Sequence, residues 1–167
     1  MKTDLKKFEK KDINRITQLV NKTNQFNVTV KRLDLKEIVS ISKSSNFLTI
    51  SGNLKDKFGD NGLITVFIGK IKKQTLDIVV WLMSCRVFNR NLELVLFDHL
   101  ISLCKKKGIS TIYGYYIKSK KNFIVKDLYK TLGFKKIKSQ KNEDKWEFKI
   151  SEKYARKNKI IRITNEK

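Results

Sequence analysis

Between Gln74 and Cys104 the chain contains no lysine, although its 167 residues carry 38 basic side chains against 16 acidic ones. The stretch begins with a near-continuous apolar run through Ile78-Val79-Val80-Trp81-Leu82-Met83, rich in β-branched residues. Such a run suits a strand buried on both faces, here from about Leu76 to Phe88. From Leu92 to Cys104 the apolar residues recur at three- and four-residue spacings, and Lys105-Lys106-Lys107-Gly108 follows. That is a buried helix with cations in its last turn and a glycine stop. A short polar turn carrying Arg86 and Arg90 joins the two. A buried strand, a tight turn and a helix N-terminus form an anion-binding device, which makes this stretch the expected functional centre.

The length suits one domain with a real core, spanning 1–167 with a charged tail after about residue 151. No long apolar run is present and the N-terminus is charged, so neither a membrane span nor a signal peptide is expected. Cys85 and Cys104 both fall in apolar segments, which reads as core thiols in a reduced, cytoplasmic setting. One histidine and no Cys-x-x-Cys argue against a metal. His99 lies mid-helix between Leu96 and Leu103, as a core or boundary residue. The net charge of +22 raises a nucleic-acid reading. The surplus is nearly all lysine, however, alongside much asparagine and isoleucine and no proline, as codon drift in an AT-rich genome would give. Solvated lysine faces are the plainer account, and the six arginines (15, 32, 86, 90, 156 and 162) carry more information.

Spacing predicts a helix over Lys11–Asn24, a short strand over Asn27–Leu33, and a helix over Leu35–Ser42 capped by Asp34 with Glu37 as its capping-box partner. Strands follow at Phe47–Gly52 and Gly62–Lys70, separated by Asp60-Asn61-Gly62, which is strong turn chemistry. After the central strand and helix come a strand at Ser110–Ile117, a helix capped by Asn122 and stopped by Gly133, and a hairpin of Phe134–Ile137 with Lys145–Ile150. Ile160–Ile163 is a candidate edge strand. This order gives an α/β (α+β) sandwich around a mixed, mostly antiparallel sheet flanked by helices.

The strand, the Arg-bearing turn, the long helix, the next strand and then Asn122 with Leu128-Tyr129-Lys130-Thr131-Leu132-Gly133-Phe134 resemble the GNAT (N-acetyltransferase) fold. Four motifs in order are similar to the C-terminal acyltransferase-like domain of FkbH-like proteins. They are Lys22-Thr23-Asn24-Gln25-Phe26-Asn27, Phe58-Gly59-Asp60-Asn61-Gly62, Ser84-Cys85-Arg86-Val87 and Lys121-Asn122. The resemblance spans roughly residues 12–148. The Asp-x-Asp-x-Thr mark of their phosphatase-like (HAD) domain is not in the sequence, so the chain matches the acyltransferase-like half.

The resemblance implies acyl transfer from a thioester, either acyl-CoA or the phosphopantetheine arm of an acyl carrier protein, with a separate HAD phosphatase-like protein as a further partner. It implies a phosphate cradle over Val87, Phe88, Asn89, Arg90, Asn91, Leu92 and Glu93. Asn89 and Asn91 stand where the family places glycines, and asparagine is the side chain that best tolerates positive φ. Glu93 puts negative charge where a pyrophosphate would lie. Tyr129 matches the tyrosine that protonates the departing thiolate; its alternative is a core tyrosine. Asn122 is a cofactor contact or a helix cap, and Cys85 a transient acyl acceptor or a buried structural thiol. Arg86 is an anchor for phosphate or substrate, or the partner of a carboxylate such as Glu93. Asp60 is a turn residue or faces substrate. A non-catalytic carrier-docking module is the second functional reading, and a basic nucleic-acid-binding protein the third.

Overall fold

The computed structural model describes residues 1–164. In chain order the elements are β1 (Lys2–Lys6), α1 (Ile13–Lys22), β2 (Phe26–Asn27), α2 (Leu35–Lys43), β3 (Phe47–Asp56), β4 (Gly59–Lys72) and β5 (Thr75–Met83). Then follow α3 (Leu92–Lys106), β6 (Thr111–Ile117), α4 (Leu128–Leu132), β7 (Lys135–Ser139), β8 (Glu143–Lys149) and β9 (Arg162–Ile163). Across the sheet the strands run β7-β8-β6-β5-β4-β3-β1-β9, with β2 paired to β5 alone. Pairing is antiparallel except at β5–β6 and β1–β9. The result is a mixed, mostly antiparallel sheet flanked by four helices.

The run Ile78–Met83 is apolar throughout because both faces of β5 are covered there. Val80 and Leu82 pack with Ile16 and Val20 of α1 and Ile38 of α2. Leu76, Ile78, Trp81 and Met83 pack with Val95, Leu96 and Leu100 of α3. The parity changes between Ile78 and Val80 because Ile68 of β4 pairs with Val80 and Gly69 with Ile78, leaving Val79 as an extra residue. Such a bulge bends its strand. The parallel pairing of β5 with β6 covers only Thr75–Thr111, Leu76–Ile112 and Asp77–Tyr113, and ends just before the bulge.

Local signals held where the chemistry is local. Asp34 Oδ1 accepts from Glu37 N and Glu37 Oε2 from Asp34 N, both at 2.8 Å. Gly108 and Gly133 end their helices at φ +68° and +93°.

Elsewhere the structure corrects the sequence reading. The expected strand over 27–33 is only Phe26–Asn27, because Asn27 Oδ1 accepts from Val30 N at 3.0 Å and turns the chain. The β3–β4 hairpin turns at Lys57-Phe58, and Asp60-Asn61-Gly62 makes an irregular start to β4, with Gly62 N donating to Asp60 Oδ1 at 2.8 Å. β5 ends at Met83 rather than Phe88, and Cys85–Val87 form one tight 3-10 turn behind Ser84. β1 was not expected, since its charged residues hide the inward pair Thr3 and Leu5. The charged segment after Ser151 folds back: Ile161 is buried and β9 pairs with β1. The last three residues of the expected tail lie outside the described residues.

Candidate functional site

Past Asp77 and Tyr113, β5 and β6 part, and the gap between them is filled by the chain's own segment Phe26–Thr29. Phe26 and Asn27 pair with Met83 and Leu82. Val28 N donates to Trp81 O at 3.1 Å, and Ile117 N of β6 donates to Val28 O at 2.8 Å. The Thr29 hydroxyl donates to Val79 O at 2.7 Å. Asn122, fully buried, donates through Nδ2 to Asn27 O at 2.9 Å and to Ile117 O at 2.8 Å. Its Oδ1 accepts from Ser119 N at 2.9 Å. Asn122 therefore makes no side-chain cap; it ties the filling segment to β6. The edge of the central strand past Asp77 is thus occupied by residues 26–29.

The turn between β5 and α3 keeps the shape that its asparagines allow. Asn89 and Asn91 both stand in the left-handed region, at φ +61° and +58°, and Asn91 is the N-cap residue of α3. Val87 and Leu92 are core anchors with no exposed surface. Arg90 forms an ion pair with Asp56 at the end of β3, whose side chain is 4% exposed. Glu93 sits in the first turn of α3, where burial raises its carboxyl above the usual range. A nearby anion would meet the positive end of the α3 dipole, but also an arginine already neutralised and a carboxyl group beneath it.

Two cavities flank the filled gap. One of about 200 Å³ lies under the start of α3 and against α4, reaching Asn89, Glu93, Leu128 and Leu132. The other, about 790 Å³, runs along α1 and the turn after β5, reaching Arg15, Lys22, Cys85 and Arg86. Phe26, Met83 and Phe88 line both and form the wall between them. The rings of Phe26 and Phe88 lie 6.2 Å apart.

Several expected site residues fall elsewhere. The Tyr129 side chain is fully buried, with its hydroxyl donating to Tyr115 O at 3.2 Å and its ring pressed over Gly114. Burial moves its phenol far above the ordinary value, so it stays protonated at any physiological pH. Cys85 is exposed in the turn rather than buried in the strand, and Cys104 is the core thiol. Arg86 is exposed and pairs with no carboxylate, Glu93 included, among the described residues. Asp60 lines a separate cavity near Lys2 and Thr164, away from both chambers, and pairs with Lys55 at 3.2 Å.

Sequence reasoning missed Phe26 and Met83 as wall residues, and Asp56 as the partner of Arg90. It also missed Asp98 of α3, which accepts from the Tyr154 hydroxyl at 2.6 Å, Lys157 N at 3.0 Å and Asn158 N at 2.8 Å. An acid among Leu96, Phe97 and Leu100 was the signal available for Asp98.

No protein-family model matches the sequence, and no curated protein matches it. Solved structures do match. The ribosomal-protein-S18-alanine N-acetyltransferase from Escherichia coli is similar with a TM-score of 0.69, over 95% of this chain and 99% of that one, at 15% identity. PaiA N-acetyltransferase from Thermoplasma acidophilum, in complex with coenzyme A, gives 0.71 over 89% and 99% at 16% identity. An acetyltransferase of the GNAT family from Streptococcus pneumoniae gives 0.69 over 90% and 100% at 17% identity. The fold is the GNAT fold. In this chain the gap where β5 and β6 part is filled from within. Among the described residues no helix is long and apolar enough to cross a membrane.

Proposed function

We propose that this chain is a GNAT-type acyltransferase drawing its acyl group from a thioester, acyl-CoA or the phosphopantetheine arm of an acyl carrier protein. The likeness to acetyltransferases supports acyl transfer in general. The observation that carries the reading is the pair of cavities meeting at the wall of Phe26, Met83 and Phe88, beside the parting of β5 and β6. A pantetheine arm is extended and carries two amides, so it can pair with a strand edge as an added strand does. The edge available is Trp81–Met83, now held by residues 26–28, so the donor enters by displacing that segment. Tyr129 lies between Leu128 and Leu132 in sequence, and both of these line the smaller cavity. Its hydroxyl would exchange the bond to Tyr115 O for one to the departing thiolate. Its raised pKa favours that over complete proton loss.

A carrier protein suits the site better than CoA. Arg90 is tied to Asp56 and Glu93 lies in the smaller cavity, both unfavourable to a pyrophosphate. The surplus of 38 basic over 16 acidic side chains attracts an acidic carrier. The motifs similar to FkbH-like proteins support a role in making a polyketide-like or surface-glycan metabolite, with a separate HAD phosphatase-like partner. A second reading, a non-catalytic carrier-docking module, is favoured by the internal engagement of Asn122 and Tyr129.

Thiol release from acyl-CoA and acyl-carrier thioesters separates the two. Catalysis predicts release above background, reduced about 100-fold or more in Tyr129→Phe. Carrier binding with release equal to background in both proteins would leave the docking module.

A further inference from the structure

The larger cavity points to the chemistry of the acceptor. Beyond the shared wall it is lined by Arg15 and Lys22 of α1, Arg86 of the turn after β5, and Lys120 and Lys121 of the loop after β6. No aspartate or glutamate lines it. None of the five cations forms an ion pair among the described residues, whereas Arg90, on the same turn as Arg86, is neutralised by Asp56. The chain's lysine excess accounts for Lys22, Lys120 and Lys121 taken singly. It does not account for two of the six arginines converging on one concave surface free of acids. Convergent cations in a groove raise the local concentration of anions. A guanidinium fork such as that of Arg86 matches phosphate or carboxylate oxygens with two parallel bonds.

We infer that this cavity binds an anionic group, phosphate or carboxylate, on the acyl acceptor, held by Arg86 with the neighbouring lysines. The acceptor's amine or hydroxyl then lies toward Phe26, Met83 and Phe88. There it attacks the thioester carbonyl: the new C–N or C–O bond forms, the C–S bond breaks, the nucleophile's proton passes to solvent, and the departing thiolate takes a proton from solvent to leave as thiol. That the bound anion is an acyl acceptor rests on the acyl-transfer reading above; the anion site does not.

The test is a titration of isotope-labelled protein at physiological salt with three probes: ethanolamine phosphate, β-alanine and ethanolamine. Ethanolamine phosphate or β-alanine is expected to shift the backbone amides of Ser84, Cys85, Arg86 and Lys121 saturably, and which of them binds tells phosphate from carboxylate. Ethanolamine is expected to leave them in place. Arg86→Gln weakens the binding about tenfold or more, and Lys138→Gln on β7 does not. No saturable shift with either anion, an equal response to ethanolamine, or equal weakening by Lys138→Gln overturns the inference. So does random DNA binding through the same amides with a steep salt dependence, which would mark a nucleic-acid surface. Saturable anion binding without thiol release from any donor removes the acyl-transfer reading and leaves the anion site standing.

Discussion

The Asn122 amide donates to Asn27 O, 95 residues earlier in the chain, and to Ile117 O of β6, so one buried side chain ties the filling segment to the β6 border of the gap. Asn122→Ala leaves those carbonyls without this donor and Ser119 N without its acceptor. The expected cost is about 3 kcal/mol. Denaturant unfolding measures it, and hydrogen exchange locates it: the amides of Val28 and Ile117 should exchange faster than any global loss of stability explains.

Gly114 separates structure from chemistry at Tyr129. A Cβ on Gly114 would lie 2.4 Å from the Tyr129 ring. Gly114→Ala should cost about 2 kcal/mol through overpacking. Tyr129→Phe removes only the bond to Tyr115 O and should cost about 1 kcal/mol. A large loss of thiol release in a Tyr129→Phe protein of nearly unchanged stability therefore reports on catalysis, not on folding.

Alkaline pH should weaken the fold in a defined window. Burial pushes the Cys104 thiol from 9.0 up to about 12. Burial first, and then the Asp77 carboxylate, push the Tyr115 phenol from 10.0 to about 12. Both groups stay neutral in the folded protein after the unfolded chain has ionised, so their contribution is intact below pH 9 and is lost as pH rises toward 12. Urea midpoints should fall across that range, and Cys104→Ala should move the onset from near 9 to near 10. Below the onset, iodoacetamide should modify Cys85 and spare Cys104.

Asp98 anchors the returning C-terminal segment. Asp98→Ala removes the acceptor of the Tyr154 hydroxyl and of the Lys157 and Asn158 amides. Loss of these bonds to a buried carboxylate should cost about 3 kcal/mol or more. Limited proteolysis should then cut between Ser151 and Ile163 well before it cuts α3.

The readable parts of this fold are those whose cause lies within a few residues. The Asp34–Glu37 capping box, the glycine stops and the left-handed asparagines at 89 and 91 follow from local geometry. The lysine-free run announced a strand covered on both faces. The site was legible as a strand–turn–helix but not in its occupancy. Val28 and Val30 look like strand residues because β-branched side chains favour extended backbone. Val28 follows that preference in one bond to Trp81 O of β5, but Val30 stands at φ +50°, its amide turned back onto Asn27 Oδ1. Asn122 looks like a helix cap, since nothing near it in sequence shows that Asn27 is its partner. Asp56 and Arg90 meet only because the β3–β4 hairpin reaches the turn before α3.

The most direct test of the account is the exchange of the Val28 and Ile117 amides as acetyl-CoA or an acyl-carrier thioester is added while thiol release is followed. If a thioester donor takes the Trp81–Met83 edge, the Val28 amide loses Trp81 O and the Ile117 amide loses Val28 O, both exchange faster at saturating donor, and thiol appears. Thiol release with the exchange of Val28 and Ile117 unchanged would contradict displacement of residues 26–28, and no release from either donor would contradict acyl transfer itself.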